Sequence, residues 1–214
     1  MRLKLLQLGW WLRVPGFRLV KRSLDILISA TALLLLTPLF VLLAAMIRRD
    51  GGPALYWQTR VGLNGRAFPF PKFRSMVVNA DALKDELLTQ NDHQDSVTFK
   101  MKEDPRITPV GKIMRRLSMD ELPQFWCVLK GDMSLVGPRP PVPREVALYT
   151  LEERQRLSVR PGLTCIWQVE GRGDIPFPQQ VKLDRDYIFR QSLSLDLSLL
   201  FRTVPAVLAG KGAY

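Results

Sequence analysis

The chain has 214 residues, which is enough for one domain of about 150 residues plus a membrane element and too few for a second large domain. Its two cysteines lie far apart and only one histidine is present, which argues against a disulfide framework or a zinc site and suits a reducing compartment. The net charge is +11, of which +7 falls within residues 1–49. This distribution favours anionic lipid headgroups as partners over nucleic acid, for which no recognition motif occurs.

The N-terminal part of the chain has the composition of a membrane element. Residues 1–20 mix leucine and tryptophan with arginine and lysine, a pattern that predicts either an interfacial helix or a disordered basic start. Ile26 to Ile47 then form an apolar run of 22 residues without a charge. A helix of that length would extend about 33 Å, enough to cross a membrane. Thr37-Pro38 interrupts the run near its middle, where proline removes a backbone donor and kinks a helix.

Two architectures fit this apolar run. Basic residues flank both of its ends: Arg18, Lys21, Arg22, Arg48 and Arg49. Since lysine and arginine near membrane ends prefer the cytoplasmic side, matched flanks favour a re-entrant helix-break-helix over residues 21–49 that enters and leaves by the cytoplasmic face. A kinked single-pass anchor is the alternative. Thr37 and Pro38 mark the break in either case.

Residues 54–76 predict a β-hairpin, because apolar and aromatic residues lie on both sides of Asn64-Gly65, a strong turn signal. The two-residue period of a strand places Lys72 and Arg74 on one face of the hairpin. By themselves they are either a solvated, charged strand end or a pair of anion contacts.

The rest of the chain predicts further helices. Residues 77–100 are polar and predict a surface helix and loop. The apolar spacing that begins at Leu122 predicts a packed helix ending at Gly131. Residues 193–208 are apolar but interrupted, which predicts one or two helices at the membrane interface or against the core. The fold class is therefore α+β and mainly helical, with residues 50–214 as one domain.

Asp120-Glu121 is the strongest candidate for chemistry. Ser118 and Glu121 match a capping box, so local helix capping is one interpretation of these residues. Pro123 weakens it, because the proline would then lie beyond the first helical turn, where it is best tolerated. A helix that starts near Asp120 accommodates Pro123 and puts both acids at the positive end of the helix dipole, where phosphates also bind. From spacing alone, both interpretations stay open.

The chain contains a set of short motifs that run in order from about residue 19 to the terminal Gly212-Ala213-Tyr214. They are Lys21-Arg22-Ser23-Leu24-Asp25, Lys72-Phe73-Arg74-Ser75-Met76, Asp120-Glu121-Leu122-Pro123-Gln124, Gly131 to Pro140, Arg160-Pro161-Gly162-Leu163-Thr164, Trp167 to Arg172, Asp184-x-x-Tyr187 and Asp196. In these motifs the chain resembles a known family, the bacterial sugar transferases, also called monotopic phosphoglycosyl transferases. Thr37, Cys127 and Cys165 depart from the residues frequent in the family. The chain resembles its minimal catalytic form.

The resemblance implies a membrane enzyme that uses a UDP-sugar and a polyprenyl phosphate at the cytoplasmic face of the bacterial inner membrane. Asp120 would be the nucleophile, and Glu121 would position a metal, expected to be Mg²⁺, or the nucleophile. Lys72, Arg74 and Arg139 are the implied phosphate contacts, and Asp184 is a further candidate with a binding or structural role. Self-association into a homo-oligomer stays open. The competing hypothesis is a non-catalytic, membrane-anchored basic scaffold that binds anionic partners.

Overall fold

A computed structural model describes residues 2–80, 82–83 and 104–210, with side chains from residue 16 onward. This part of the chain is mainly helical, with two small pairs of strands, which confirms the predicted α+β class. Most of the polar segment predicted as a surface helix and loop lies outside the described residues, as does the terminal Gly-Ala-Tyr motif. The α-helices are α1 (Arg2–Leu35), α2 (Thr37–Ile47), α3 (Pro109–Arg116), α4 (Phe125–Lys130), α5 (Pro143–Leu148), α6 (Ile166–Glu170), α7 (Phe177–Arg190) and α8 (Leu193–Ala209).

The remaining elements are short. Turns of 3-10 helix cover Arg48–Asp50, Leu63–Gly65, Met119–Gln124, Glu153–Ser158 and Arg172–Asp174. The strands are β1 (Leu55–Val61), β2 (Ala67–Phe73), β3 (Ser134–Val136) and β4 (Gly162–Thr164). β1 and β2 form an antiparallel hairpin, and β3 and β4 form a parallel pair.

The apolar N-terminal run is a broken helix, as the sequence predicts. Gly16–Leu35 and Thr37–Asp50 are bent by 58° at Leu36, and Pro38 lies in the first turn of α2, where its missing N–H is tolerated. The Thr37 hydroxyl donates to the Leu33 carbonyl at 2.8 Å and so satisfies one backbone group at the break. Among the described helices no single one has the length and hydropathy of a membrane span, whereas this bent pair together does.

One polar turn of α1 joins the broken helix to β3. The buried carboxylate of Asp25 accepts hydrogen bonds from the Leu135 amide at 2.9 Å and the Ser134 hydroxyl at 3.1 Å. The Lys21 ammonium donates to the Val136 carbonyl at 3.0 Å and pairs with Asp196 of α8 at 2.5 Å. These bonds span more than 100 residues of sequence, and they explain why the motif that precedes the apolar run contains both signs of charge.

The same turn also caps α4. Arg22 donates from its two terminal nitrogens to the Val128 and Leu129 carbonyls at 2.6 and 2.7 Å. Carbonyls in the last turn of a helix lack partners within the helix, so a guanidinium there satisfies them and complements the helix dipole. The predicted boundary at residue 20 lies inside α1, which runs continuously through it.

The predicted hairpin and its turn are confirmed. Asn64 and Gly65 adopt left-handed conformations with φ of 55° and 80°, which both residue types tolerate at low cost. Phe68, Phe70 and Lys72 alternate along β2 and share one face, with Phe68 and Phe70 in the main core. Because Phe68 and Phe70 pack in the core, Lys72 projects from the same, core-facing side of the hairpin.

The parallel pair of β3 and β4 was not predicted from the sequence. Gly137 and Gly162 lie so close that a Cβ on Gly162 would be 2.0 Å from the Gly137 amide nitrogen, which only glycine allows. β3 runs directly into the Gly137-Pro138-Arg139 loop. The contact between two glycines therefore sets the start of that loop against β4.

The C-terminal apolar segment forms one helix, α8, with Pro205 inside it. Its exposed apolar residues recur at helical spacing and form a stripe: Leu197, Phe201, Val204 and Leu208. Leu199, by contrast, is fully buried in the core. α8 thus packs one face on the domain and leaves an apolar face uncovered in the described part of the chain.

Candidate active site

The acid pair lies in a short 3-10 helix next to the hairpin. Asp120 and Glu121 are in its first turn, and Pro123 is accommodated because this segment is not a regular α-helix. Ser118 precedes the helix in a left-handed conformation, and its side chain makes no cap hydrogen bond. The capping-box interpretation is therefore wrong, since the hydroxyl of Ser118 accepts a hydrogen bond from Arg172 at 3.1 Å instead.

Glu121 is held by two cations from separate elements. The Lys72 ammonium donates to its Oε1 at 2.7 Å, and the Arg139 guanidinium donates to Oε1 and Oε2 at 2.5 and 3.1 Å. Burial alone would raise the pKa of Glu121, but Arg139 and Lys72 outweigh burial and hold this pKa well below its usual range. Glu121 is therefore ionised and fixed in place.

Asp120 has the opposite environment. It is 7% exposed and makes no hydrogen bond or ion pair to any residue that the structure describes. Burial raises the pKa of its carboxyl, Lys72 opposes that effect, and the adjacent charge of Glu121 raises the pKa further. One acid of the pair is thus immobilised by cations, while the neighbouring carboxylate keeps both oxygens available to a ligand.

A cleft of about 840 Å³ opens over this pair. Cationic side chains from the hairpin and from later segments line it, among them Arg60, Lys72, Arg115, Arg139 and Arg172. A second part of its wall is apolar and comes mainly from β4, α6 and α8: Leu163, Trp167, Leu200, Val204 and Val207. Such a cleft suits a ligand that is anionic at one end and apolar at the other.

The structure brings Lys72, Arg139, Asp120 and Glu121 together as predicted, whereas Arg74 bonds to other residues. Arg74 donates to Asp50 at 2.5 and 2.7 Å and to the carbonyls of Ile47, Pro53 and Met76. These bonds use all five N–H donors of its guanidinium. Arg74 also lines the cleft, so its role as a phosphate contact stays a prediction, although all of its donors have protein partners in this structure. Its bonds join the hairpin to the end of α2.

Asp184 lies outside the cleft. Its side chain is fully buried, and Arg156 donates to it at 2.7 Å. Burial raises the pKa of Asp184 to about 6, although the Arg156 charge opposes that shift. Arg156 also bonds the Tyr149 hydroxyl at 2.9 Å. Asp184 is therefore part of a buried structural network, which was the second role considered for it.

Further cationic residues that line the cleft were not among the predicted contacts, including Arg60, Arg115 and Arg172. The register of the hairpin could have identified the first of them, because Arg60 pairs with Phe68 and so shares the face of Lys72. Arg115 and Arg172 reach the cleft only through tertiary packing. No signal in their own segments indicates it.

The two carboxylates of the acid pair are also potential ligands for a metal ion. Within the described ranges, no group of three or more His, Cys, Asp or Glu side chains is placed to hold a metal ion. Mg²⁺ does not require such a group, since it is commonly bound by one or two carboxylates together with substrate phosphates and water. Asp120 and Glu121 therefore fit Mg²⁺ that arrives with a phosphate ligand.

Comparison with known proteins gives the same family over most of the chain. The model of a family described as bacterial sugar transferase matches residues 17–210. Galactosyl transferase CpsE of Streptococcus agalactiae is 47% identical over 91% of this chain and 43% of its own length. Undecaprenyl-phosphate galactose phosphotransferase of Salmonella typhimurium is 44% identical over 92% of this chain and 42% of its own length.

The chain thus spans less than half the length of these two relatives. Exopolysaccharide production protein ExoY of Sinorhizobium fredii has a more similar extent, with 42% identity over 91% of this chain and 88% of its own length. The matched region contains the broken helix, the hairpin, the acid pair and the glycine-proline loop. On this match, the chain belongs to the bacterial sugar transferase family.

Proposed function

We propose that this chain transfers a sugar-1-phosphate from a UDP-sugar to a polyprenyl phosphate and releases UMP, as the first membrane step in the assembly of a bacterial envelope polysaccharide or glycoconjugate. The name of the Salmonella relative supports the reaction type and the lipid acceptor. The observation that carries the proposal is the buried Asp120 carboxylate, which makes no hydrogen bond within the described structure and lies beside a fixed Glu121 in a cationic cleft.

In the first step, a carboxylate oxygen of Asp120 attacks the β-phosphorus of the UDP-sugar. An oxygen–phosphorus bond forms, and the bond from the β-phosphorus to the bridging oxygen breaks. The electron pair stays on that oxygen, which leaves as part of UMP. The phosphosugar remains on Asp120, as in other enzymes that use a carboxylate to carry a phosphoryl group.

In the second step, a phosphate oxygen of the polyprenyl phosphate attacks the same phosphorus. The bond to Asp120 breaks, the carboxylate is regenerated, and a polyprenyl diphosphate-linked sugar is released. Both steps move negative charge across the site, so catalysis consists mainly of positioning and charge neutralisation. Lys72 and Arg139 can supply that neutralisation, because both line the cleft together with Asp120 and carry positive charge.

Mg²⁺ is part of this proposal and would be held by Asp120 and Glu121 together with the diphosphate. When bound, it would neutralise phosphate charge and orient the diphosphate for in-line attack. Glu121 is suited to keep its place during the reaction, since Lys72 and Arg139 fix both of its oxygens.

Membrane attachment through the broken helix is also part of the proposal, with anionic lipid headgroups contacting its basic flanks. Large apolar side chains of α1 and α2 are exposed in the described chain: Leu19, Leu27, Leu34, Leu35, Val41 and Leu42. Such a surface is costly in water and stable in hydrocarbon. The bend of 58° at Leu36 suits a segment that returns to the face it entered. The catalytic domain would then lie on the cytoplasmic face of the inner membrane.

This topology can be tested by thiol labelling in intact cells. In a background that carries Cys127→Ala and Cys165→Ala, we expect neither Leu5→Cys nor Arg66→Cys to react with a reagent that cannot cross the inner membrane. Both should react after permeabilisation, because the matched flanks hold both ends inside. Labelling of Leu5→Cys but not of Arg66→Cys in intact cells would instead establish a single pass. Pro38→Leu, which removes the kink, should shift part of the population toward that pattern.

The reaction itself is tested with purified protein, Mg²⁺, a polyprenyl phosphate and a panel of UDP-sugars that includes galactose, glucose and N-acetylgalactosamine. We expect UMP release that depends on the sugar, on Mg²⁺ and on the lipid for multiple turnover. A heat-inactivated sample is the control. Absence of UMP across the whole panel would contradict the enzyme and favour the non-catalytic basic scaffold.

A further inference from the structure

Arg60 is a cation of the cleft to which neither the motifs nor the reaction scheme above gives a role. It lies on β1, on the hairpin face that also carries Phe70 and Lys72, and it lines the cleft. Its Nη1 donates to the Pro140 carbonyl at 2.8 Å, and its guanidinium carbon lies 5.1 Å from the centre of the Phe70 ring. Arg60 therefore has a fixed position next to the loop that carries Arg139.

The bonding of Arg60 is incomplete. Its Nε is shielded from solvent and has no hydrogen-bond partner, and Arg60 forms no ion pair with a carboxylate of the described chain. Burial, followed by the like charge of Arg139, lowers the pKa of Arg60 to about 10. A shielded cation with an unused N–H donor is unfavourable by itself and becomes favourable when an anion binds. Arg60 is thus suited to bind an anionic ligand in the cleft.

The position of Arg60 indicates which anion this is. Lys72 and Arg139 both bond to Glu121, the neighbour of Asp120. Arg60 donates instead to the carbonyl of Pro140, the residue after Arg139. Among the three cations, Arg60 is therefore the one that lines the cleft without a bond to the acid pair. In an in-line displacement the leaving oxygen lies on the side of the phosphorus away from the nucleophile.

We propose that Arg60 binds the α-phosphate of the UDP-sugar, the group that leaves in UMP, through its unused N–H donors. This assignment rests on the proposed function. When the bond between the β-phosphorus and the bridging oxygen breaks, the electron pair moves onto the UMP phosphate, and the Arg60 guanidinium neutralises that charge. In the second step the polyprenyl phosphate enters opposite Asp120, where the UMP phosphate left, so its phosphate takes the place beside Arg60. Arg60 thus binds the phosphate that lies opposite the nucleophile in both half-reactions.

The test measures the two half-reactions separately for wild type, Arg60→Gln, Arg60→Lys and Arg66→Gln. Arg66 is an exposed arginine in the turn of the same hairpin and does not line the cleft. Arg66→Gln is therefore the control, because it removes the same charge as Arg60→Gln but outside the cleft. For Arg60→Gln we expect UMP to bind at least tenfold more weakly by calorimetry with Mg²⁺. The single-turnover release of UMP should slow by a similar factor, and Arg60→Lys should recover part of the loss.

The second half-reaction tests the same position with a different phosphate. Because the acceptor phosphate enters where the UMP phosphate left, Arg60→Gln should slow both the transfer of the phosphosugar from the preformed adduct to polyprenyl phosphate and the reversal of the adduct by added UMP. Wild-type rates of transfer and reversal in Arg60→Gln would overturn the proposal, because Arg60 would then contact neither phosphate. Unchanged UMP affinity in Arg60→Gln would overturn it as well, provided that thermal melting shows a folded variant.

The outcome for wild type distinguishes this proposal from the function on which it rests. If wild type binds UMP and forms the adduct but Arg60→Gln behaves like Arg66→Gln, the function stands and the assignment of Arg60 fails. If wild type neither binds UMP nor forms an adduct with any UDP-sugar, the proposed function fails and the assignment fails with it.

Discussion

Asp120→Asn should abolish the reaction at its first step. With the correct UDP-sugar, Mg²⁺ and no lipid acceptor, wild type is expected to release about one UMP per active site and to gain the mass of one sugar phosphate. The amide keeps the size of the side chain but is not a competent nucleophile, so both signals should disappear. The rate should fall by about 10⁴-fold or more, as when the nucleophile of other covalent mechanisms is removed. Intact mass spectrometry and UMP release measure the two effects.

The fold should survive this change. Because burial raises the pKa of Asp120, its ionised form is less favourable in the folded chain than in the unfolded chain, and the neutral amide removes that penalty. The melting temperature of Asp120→Asn should therefore be no lower than that of wild type. Glu121→Gln is the matched comparison, and it should slow the reaction while still forming some adduct if Glu121 only positions the reacting groups. Full turnover by Asp120→Asn, or an adduct on another residue, would contradict the assigned nucleophile.

Arg139→Ala should reduce the rate of both half-reactions by about 10²–10³-fold, the range for loss of one preorganised donor in an active site. Arg139 donates to both oxygens of Glu121, so its removal also leaves that carboxylate with Lys72 as its remaining bonded cation among the described residues. Arg139→Lys should recover only part of the rate, because an ammonium cannot reproduce the two parallel bonds of a guanidinium. Stopped single-turnover assays of UMP release and of lipid transfer measure the effect.

Arg66→Ala is the control for a lost surface arginine and should retain the wild-type rate, since Arg66 lies in the exposed hairpin turn. A loss confined to the first half-reaction would contradict the role of Arg139, because its place beside Glu121 serves both steps.

The features predicted correctly from the sequence depend on bonds within a few residues. Thr37-Pro38 breaks the apolar helix because proline lacks a donor and the Thr37 hydroxyl reaches back one turn, to Leu33. Asn64-Gly65 makes the hairpin turn because both residues accept positive φ. Such local preferences act in the same way wherever the segment lies in the fold, so the residue pattern alone identifies them.

The partners of Lys72 and Arg74 could not be predicted from the sequence. They have the same charge, lie two residues apart and follow the same strand pattern, but Lys72 contacts Glu121 whereas Arg74 is fully bonded to Asp50 and three carbonyls. A long cationic side chain is satisfied by whichever acceptors the fold brings near it. For Lys72 the acceptor is 49 residues away in sequence, and the sequence contains no rule that pairs the two.

By itself the sequence determined the class of fold, the broken helix, the hairpin and the identity of the acid pair, because helical period, turn chemistry and the ordered motifs are properties of neighbouring residues. Only the tertiary structure decided which cations face that pair, that Asp184 is buried against Arg156, and that Lys21 and Asp25 hold β3 from the broken helix. The physical reason is the same in each case. Buried charges and hydrogen-bonding groups require partners, and those partners come from elements that only folding brings together.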